Sequence, residues 1–348
     1  MLIRENVPLA PLTTFGVGGP ARYFVEAHNA STVNEAVAHA RKHGLPLFVL
    51  GGGSNLVVAD AGWPGLVLRI AITGIERRAG SGIFEVGAGE EWDKFVAVAV
   101  SHNCAGIECL SGIPGSTGGT PVQNVGAYGQ EVAETIESVQ VLDTRDGEVR
   151  ELCNEACGFA YRTSIFNSGE RGRFIVLRVD FSLKAGGEPR IGYADLKRHL
   201  AGRDTPPTLA DTREAVRQIR ASKGMLITPG DEDCRSAGSF FKNPVLPDGE
   251  YESLHQRAQE RGLQIPSYPA LNAYRKISAA WLVENSGFHK GYSRGPVGIS
   301  RKHALAIVNR GGAKAVDIIA LKDEIQSRVG EVWGIHLHPE PVFVGFER

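Results

Sequence analysis

Residues 47–56 read LFVLGGGSNL. Four apolar residues form the short run expected of a buried strand, and three glycines then stop it at once. Upstream, STVNEAVAHARKH (31–43) predicts a helix, with Ser31 or Thr32 as its N-cap and Gly44 as its stop. RYFVE (22–26) predicts a strand before that helix, and VLRI (67–70) another after the glycines. Strand, helix and strand with glycine punctuation is an α/β pattern. Successive glycines where a strand ends let backbone N–H groups point into one concavity, which suits a pyrophosphate. Gly51, Gly52 and Gly53 would form it, and Ser54 and Asn55 add side-chain donors. Alone, the stretch is equally a tight turn with no ligand.

Further along, GIFEVGAG (82–89) alternates like a strand. EWDKFVAVAVS (91–101) has helical spacing, with Trp92, Phe95, Val96 and Ala99 on one face. Then comes IPGSTGGTPVQNVGAYG (113–129), a long stretch poor in charge, and long structured loops in compact domains are usually functional. Gly115, Ser116, Gly118, Gly119, Gln123, Asn124, Gly126 and Ala127 let it approach a flat, anionic ligand along its length. Two glycine-rich loops at strand ends suit one extended dinucleotide better than two small ligands. A hairpin over 138–152 turns at Asp146-Gly147, and FIVLRVDFSL (174–183) is a strand. Composition then shifts to Gly, Pro and polar residues around GYADL (192–196). Helices are expected at 211–222, 250–261, 277–286 and 314–330, and a closing strand at 342–346.

Bulk properties exclude several classes. The 348 residues exceed one ordinary domain. Charge is balanced, 38 basic against 39 acidic residues, so the basic footprint of a duplex-binding protein is missing. No run of apolar residues is long enough for a spanning helix, and the N-terminus MLIREN has no secretory apolar region. Five cysteines at 104, 109, 153, 157 and 234 match no zinc spacing. His336 and His338 would share a face of a strand, but two ligands make no zinc site. A cytoplasmic protein with no metal is expected. Gly16-x-Gly18-x-x-Ala21 imitates a dinucleotide fingerprint, but a strand follows it where a helix is required.

Three isolated residues could handle an anion. Arg162 sits in FAYRTSIF (159–166), where a guanidinium needs an anion or a dense shell of hydrogen bonds. Ser239 in SAGSFFKNP (236–244) is a hydroxyl beside two Phe and can donate a proton if a neighbour tunes it. Lys242 and Asn243 follow it, within reach of phosphate or sugar oxygens. Glu340 in HLHPEPVF (336–343) lies between two prolines, whose stiff backbone fixes a carboxylate.

Taken in order, TTFGVGG (13–19), GGGSN (51–55), VGAGEEW (86–92), GIECLSGIPGSTGGTPVQNVGAYG (106–129), FAYRTSIF, GSFFKNP (238–244), KISAAWLVENSG (276–287) and LHPEPVF resemble the UDP-N-acetylenolpyruvoylglucosamine reductases. The resemblance runs from about Thr13 to Phe343. It is to the loop-bearing class of that family, within the wider vanillyl-alcohol-oxidase/PCMH-type flavin superfamily. It implies an α+β fold: a two-part PCMH-type FAD-binding module, residues 1–70 and 71–223, plus a C-terminal α+β substrate-binding domain, 224–334. Residues 335–348 are expected to return to the first part. It implies non-covalent FAD, since GGGSNL offers no His or Cys, and NADPH as co-substrate sharing one cleft with UDP-N-acetylglucosamine enolpyruvate. A monomer is expected.

The resemblance also implies roles. Arg162 and Glu340 would bind the carboxylate and stabilise the enolate-like charge that hydride addition creates. Glu340 could do so only as a donor or with Arg162, so a raised pKa is expected of it. Ser239 would supply the proton. Thr14 joins the cofactor residues. Tyr128, Tyr161, Tyr193, Lys223, Asn243 and His303 fall on the substrate side, with Tyr193 on a mobile loop that closes on the diphosphate. Two departures stand out: His303 replaces an amide, and GMLITPGDEDCRSAG (224–238) is longer and more acidic than expected. An FAD-dependent sugar or alcohol oxidase would share the glycine loops but leave Arg162, Ser239 and Glu340 without a task; a sugar-nucleotide-binding flavoprotein without turnover is the other alternative.

Overall fold

Buried positions at i, i+3, i+4 and i+7 make a helix amphipathic, and Val33, Ala36, Val37 and Ala40 supply that stripe in α1 (Ala30–Lys42). Its cap is Asn29, whose extended backbone lets the side chain accept the Thr32 N–H at 2.9 Å. The expected caps Ser31 and Thr32 therefore lie inside the first turn. The computed structural model describes residues 1–269 and 274–346. Residues 270–273 of the stretch 224–334, and 347–348 of the stretch 335–348, lie outside the described residues.

The chain forms two compact units. The first holds 1–8, 20–53 and 63–227; the second holds 9–19, 54–62 and 228–348. Segments 9–19 and 54–62, within the stretch 1–70, thus group with the C-terminal residues.

In the first unit, α1 packs on a four-stranded sheet ordered Arg4–Pro8, Pro20–Ala27, Trp63–Ile70, Leu47–Leu50. The last three strands are parallel, and α1 is the crossover between the second and the fourth. A five-stranded antiparallel sheet follows, ordered Val149–Cys153, Ile136–Asp143, Phe174–Ser182, Ile83–Gly87, Ile75–Arg77. Helix α2 (Trp92–Ser101) buries Trp92, Phe95, Val96 and Ala99 against it, with the Phe95 and Phe181 rings 4.8 Å apart. Helices α3 (Ala194–His199) and α4 (Leu209–Ser222) add a satellite core in which Leu196 and Leu200 meet Cys109, Ala215, Val216 and Ile219. Burial drives the Cys109 thiol pKa up to about 12, so it behaves as a small apolar group.

The second unit holds α5 (Asp248–Gln259), α6 (Ala279–Glu284) and α7 (Ala315–Trp333). Two three-stranded sheets accompany them, one of Val245–Pro247, Tyr274–Ile277 and Ser267–Pro269, the other of Ser293–Arg294, Val297–Ile299 and Ile307–Asn309. The closing strand, Val342–Val344, pairs in parallel with Leu56–Val58. Phe15, Phe240, Phe241, Trp333 and Leu337 lie in the core. His336 and His338 are outside any strand, because residues 335–338 run as irregular chain past the end of α7; their rings meet edge-on at 5.0 Å. Among the described residues, no helix is long and apolar enough to cross a membrane.

Candidate active site

The two glycine loops of the first unit meet. Gly52 donates its N–H to the Ser116 hydroxyl at 3.2 Å. A Cβ on Gly52 would lie 2.5 Å from the Gly115 Cα, and one on Gly51 would lie 2.8 Å from the Ser116 Oγ. At Gly52, where the atoms met are all backbone, only glycine permits that approach. Gly118 is packed as tightly, since its Cβ would reach the Ala88 Cβ at 2.5 Å. Gly119 is exposed and Gly53 buried.

Loop 110–118 is zipped to the segment before α2. The Trp92 indole donates to the Leu110 carbonyl at 3.0 Å, and the Trp92 amide to the Gly115 carbonyl at 3.1 Å. Thr117 and Gly118 amides donate to the Glu90 and Ala88 carbonyls, both at 2.8 Å. Between these lies Gly112, held on both sides. Its N–H donates to Asp93 at 2.6 Å, and its carbonyl accepts from Arg220 at 3.1 Å. Asp93 is in turn paired with Arg213 and Arg217. Burial acts to raise the Asp93 pKa, but the Arg213 guanidinium and the Gly112 N–H outweigh it and hold the carboxyl below its usual range.

Farther along the same loop, buried Asn124 adopts φ +44° and accepts the Ala133 N–H at 3.2 Å. Its amide donates to Glu131 at 2.8 Å and to the Ala160 carbonyl at 3.1 Å. Gln123 and Ala127 are half-buried. Arg162 also sits at positive φ, +55°, and donates to the Gly126 carbonyl at 2.8 Å and the Asn124 carbonyl at 3.4 Å. Its guanidinium lies 5.4 Å from the centre of the Tyr161 ring. Loop 124–127 and Arg162 therefore form one substructure.

The Tyr128 and Tyr193 rings meet edge-on at 5.5 Å. Lys223 Nζ lies 5.9 Å from the Tyr128 ring centre and pairs with Asp195 at 2.7 Å. Burial raises the Tyr128 pKa, opposed by Arg220 and Lys223. Burial likewise lowers the pKa of Arg220.

In the second unit, chain 240–242 runs against 338–340. The Glu340 N–H donates to the Phe240 carbonyl at 2.8 Å, and the Lys242 N–H to the His338 carbonyl at 2.9 Å. Ser239 and Glu340 thus stand on paired segments. Asn55 donates its side-chain amide to the Glu340 carbonyl at 3.3 Å, and its own carbonyl accepts the Val342 N–H at 2.9 Å. The Thr14 hydroxyl lies 2.6 Å from the Ser236 carbonyl and 3.2 Å from that of Ser54, so Thr14 ties together the segments bearing Ser54 and Ser239. Asn243 accepts the Ala279 N–H at 2.9 Å at the start of α6. His303 accepts the Leu305 N–H on Nδ1 at 3.0 Å, which leaves its ring proton on Nε2. The acidic stretch 231–233 holds the turn beside it: Asp231 pairs with Lys302 at 2.6 Å, and Asp233 accepts the Arg301 N–H at 3.2 Å.

Asp93, Asp195 and Arg220 escaped the sequence reading. Each is an ordinary charged residue on a helix. The one local clue is the Arg213, Arg217, Arg220 series, whose i, i+4, i+7 spacing places three cations on one face of α4.

Comparison with known proteins gives the same outline. Residues 229–344 match the family description "UDP-N-acetylenolpyruvoylglucosamine reductase, C-terminal domain", and residues 21–152 match "FAD binding domain". The UDP-N-acetylenolpyruvoylglucosamine reductase of Thermobifida fusca is 47% identical over 98% of this chain and 98% of its own. That of Streptomyces coelicolor is 47% identical over 98% and 90%. The crystal structure of the Thermus caldophilus enzyme, 29% identical, covers 99% of this chain and all of its own, with a TM-score of 0.68.

Proposed function

This chain belongs to the UDP-N-acetylenolpyruvoylglucosamine reductase family, and from that premise we propose how its residues carry the reaction. It is an FAD-dependent oxidoreductase of peptidoglycan synthesis that reduces UDP-N-acetylglucosamine enolpyruvate to UDP-N-acetylmuramate with NADPH. We assign residues 1–70 and 71–223 to flavin binding, 224–334 to substrate binding, and 335–348 to a return to the first part. The protein works as a cytoplasmic monomer, and NADPH and the enolpyruvyl substrate use one cleft in turn.

The residues fit FAD. In the cradle of Gly51, Gly52, Gly115, Ser116, Gly118 and Gly119, there is no room for a side chain at Gly52 or Gly118, and we assign its backbone N–H groups to a pyrophosphate. Gly53, Ser54, Asn55, Thr14, Gln123, Asn124, Gly126 and Ala127 complete the cofactor set. When bound, the flavin supplies hydride transfer between NADPH and the vinylic carbon of the substrate.

The protein's own part is electrostatic and protonic. Hydride addition pushes charge onto the substrate carboxylate. Arg162, locked by two carbonyls, presents a cation to that charge at no cost in reorganisation. Glu340 acts with it as a hydrogen-bond donor. Ser239 protonates the adjacent carbon. Tyr128, Tyr161, Tyr193, Lys223, Asn243 and His303 hold the sugar nucleotide, with Lys223, Asn243 and His303 on the diphosphate side.

The observation that carries this reading is the backbone pairing of the segments that bear Ser239 and Glu340, in which the Glu340 N–H donates to the carbonyl of Phe240, the residue after Ser239. Stopped-flow mixing tests it. NADPH should bleach the flavin and the enolpyruvyl substrate recolour it. Ser239→Ala should keep the bleaching and lose the substrate-dependent recolouring by orders of magnitude. Unchanged recolouring removes Ser239 from the mechanism. Reduction by a sugar alcohol with fast reoxidation by oxygen overturns the reading itself.

A further inference from the structure

Lys223 ends α4 with its amide bonded to the Arg220 and Ile219 carbonyls, so its backbone is fixed. Its ammonium is also committed, to the Asp195 carboxylate at 2.7 Å, and both side chains are about one-third exposed. That ion pair holds the Asp195 pKa below its usual range, so the carboxylate is charged at neutral pH. Asp195 lies two residues beyond Tyr193, in the first turn of α3. Helix α3 is anchored by Leu196, which is fully buried, while Tyr193 leans exposed against Tyr128. The turn bearing Tyr193 is therefore attached at three places: an apolar anchor, an aromatic edge contact and one ion pair.

We propose that Asp195 is a positioning residue that occupies Lys223 as a stand-in for the substrate diphosphate and couples its arrival to movement of the Tyr193 turn. The proposal rests on reading Lys223 as a diphosphate-side residue. A phosphate oxygen reaching Lys223 meets a carboxylate already bound to the same ammonium, and like charges that close repel. The diphosphate must take the ammonium from Asp195. Once released, Asp195 no longer ties the turn to α4, and Tyr193, two residues away, is freed by the same event. The ion pair thus weakens diphosphate binding and holds the turn in one position when the ligand is absent.

Titration of the FAD-loaded enzyme with UDP and with uridine, followed by flavin absorption, tests this. Asp195→Asn should tighten UDP binding about three- to fivefold, the scale of a partly exposed ion pair, and leave uridine unchanged. Asp195→Glu should restore the wild-type value. Lys223→Met should weaken UDP binding, and adding Asp195→Asn to it should change nothing further. A residue with only a structural role would not show this dependence on Lys223. If Lys223→Met weakens UDP but Asp195→Asn does not tighten it, the stand-in role is wrong while Lys223 keeps its place. If Lys223→Met has no effect on UDP, the diphosphate-side reading and the proposal fall together.

Discussion

The Gly52 amide donates to the Ser116 hydroxyl across 3.2 Å, and this bond joins two loops that lie 64 residues apart in sequence. The contact explains why both loops are rich in glycine. A strand end and a long connection can approach this closely only if their backbones touch, and side chains at the contact would hold them apart.

Gly52→Ala should therefore act on flavin binding. Its Cβ would press on Gly115 and on the Ser116 nitrogen at 2.7 Å, both backbone atoms that cannot rotate away. Overpacking of this kind costs about 1–3 kcal/mol. FAD affinity, read by titrating the apoprotein, should weaken about tenfold or more. Gly169→Ala, with nothing within 4 Å of its added carbon, is the control and should bind FAD normally. Equal FAD affinity in the two variants would mean that the loop contact is not part of the cradle.

The glycine loops were legible because glycine runs and the strand before them are local signals. Arg162, Ser239 and Glu340 stood out for a related reason, being polar residues in apolar or proline-stiffened surroundings. The α1 cap lies two or three residues before the expected Ser31 or Thr32 because Asn29, Ser31 and Thr32 can all cap, and only the backbone angle at Asn29 decides among them. The clamp on Gly112 could not be read at all. Arg220 reaches it across 108 residues, and nothing near either residue announces the meeting. Periodicity finds faces of helices; it does not find which distant peptide a face will grip.

Arg220 offers a second test. It is buried and donates to two carbonyls, those of Gly112 and Met225. Arg220→Met would leave the buried Gly112 carbonyl without this donor, at about 1–3 kcal/mol, and would remove the bond to the half-buried Met225 carbonyl as well. Urea denaturation of the FAD-loaded protein should show a clearly lowered midpoint. Arg220→Lys should recover only part, because an ammonium lacks the planar fork that serves two carbonyls at once. Full recovery by Lys would show that charge alone matters there.

Asp93 makes stability depend on pH. A carboxyl whose pKa is held down in the folded protein binds protons more readily when unfolded. The stability it confers is complete above the unfolded value, about 4, and is lost as pH falls through the lower folded value. Asp93→Asn should thus be less stable than the wild type at pH 7. The gap should narrow steadily as the pH is taken below about 4, as urea midpoints at each pH will show. A gap that stays constant down to pH 3 would assign the loss to the shape of the site and not to the charge facing Arg213 and Arg217.

Asp60 governs the longest helix of the second unit. The first N–H groups of a helix have no partner within it, and α7 begins at Ala315 with Lys314 as its N-cap residue. The Asp60 carboxylate accepts both the Ala315 N–H, at 2.8 Å, and the Val316 N–H, at 3.1 Å. Its negative charge also faces the positive end of the helix dipole. Asp60 follows the strand Leu56–Val58, which pairs with the closing strand Val342–Val344, so one carboxylate ties that two-stranded sheet to α7. Asp60→Ala should lower stability by about 1–2 kcal/mol, the cost of a lost cap. Asp60→Asn, which keeps an acceptor and loses the charge, should fall between. Thermal melts of the three proteins at saturating FAD will rank them. If Asn behaves as Ala does, the charge at the helix end and not the hydrogen bonds carries the effect.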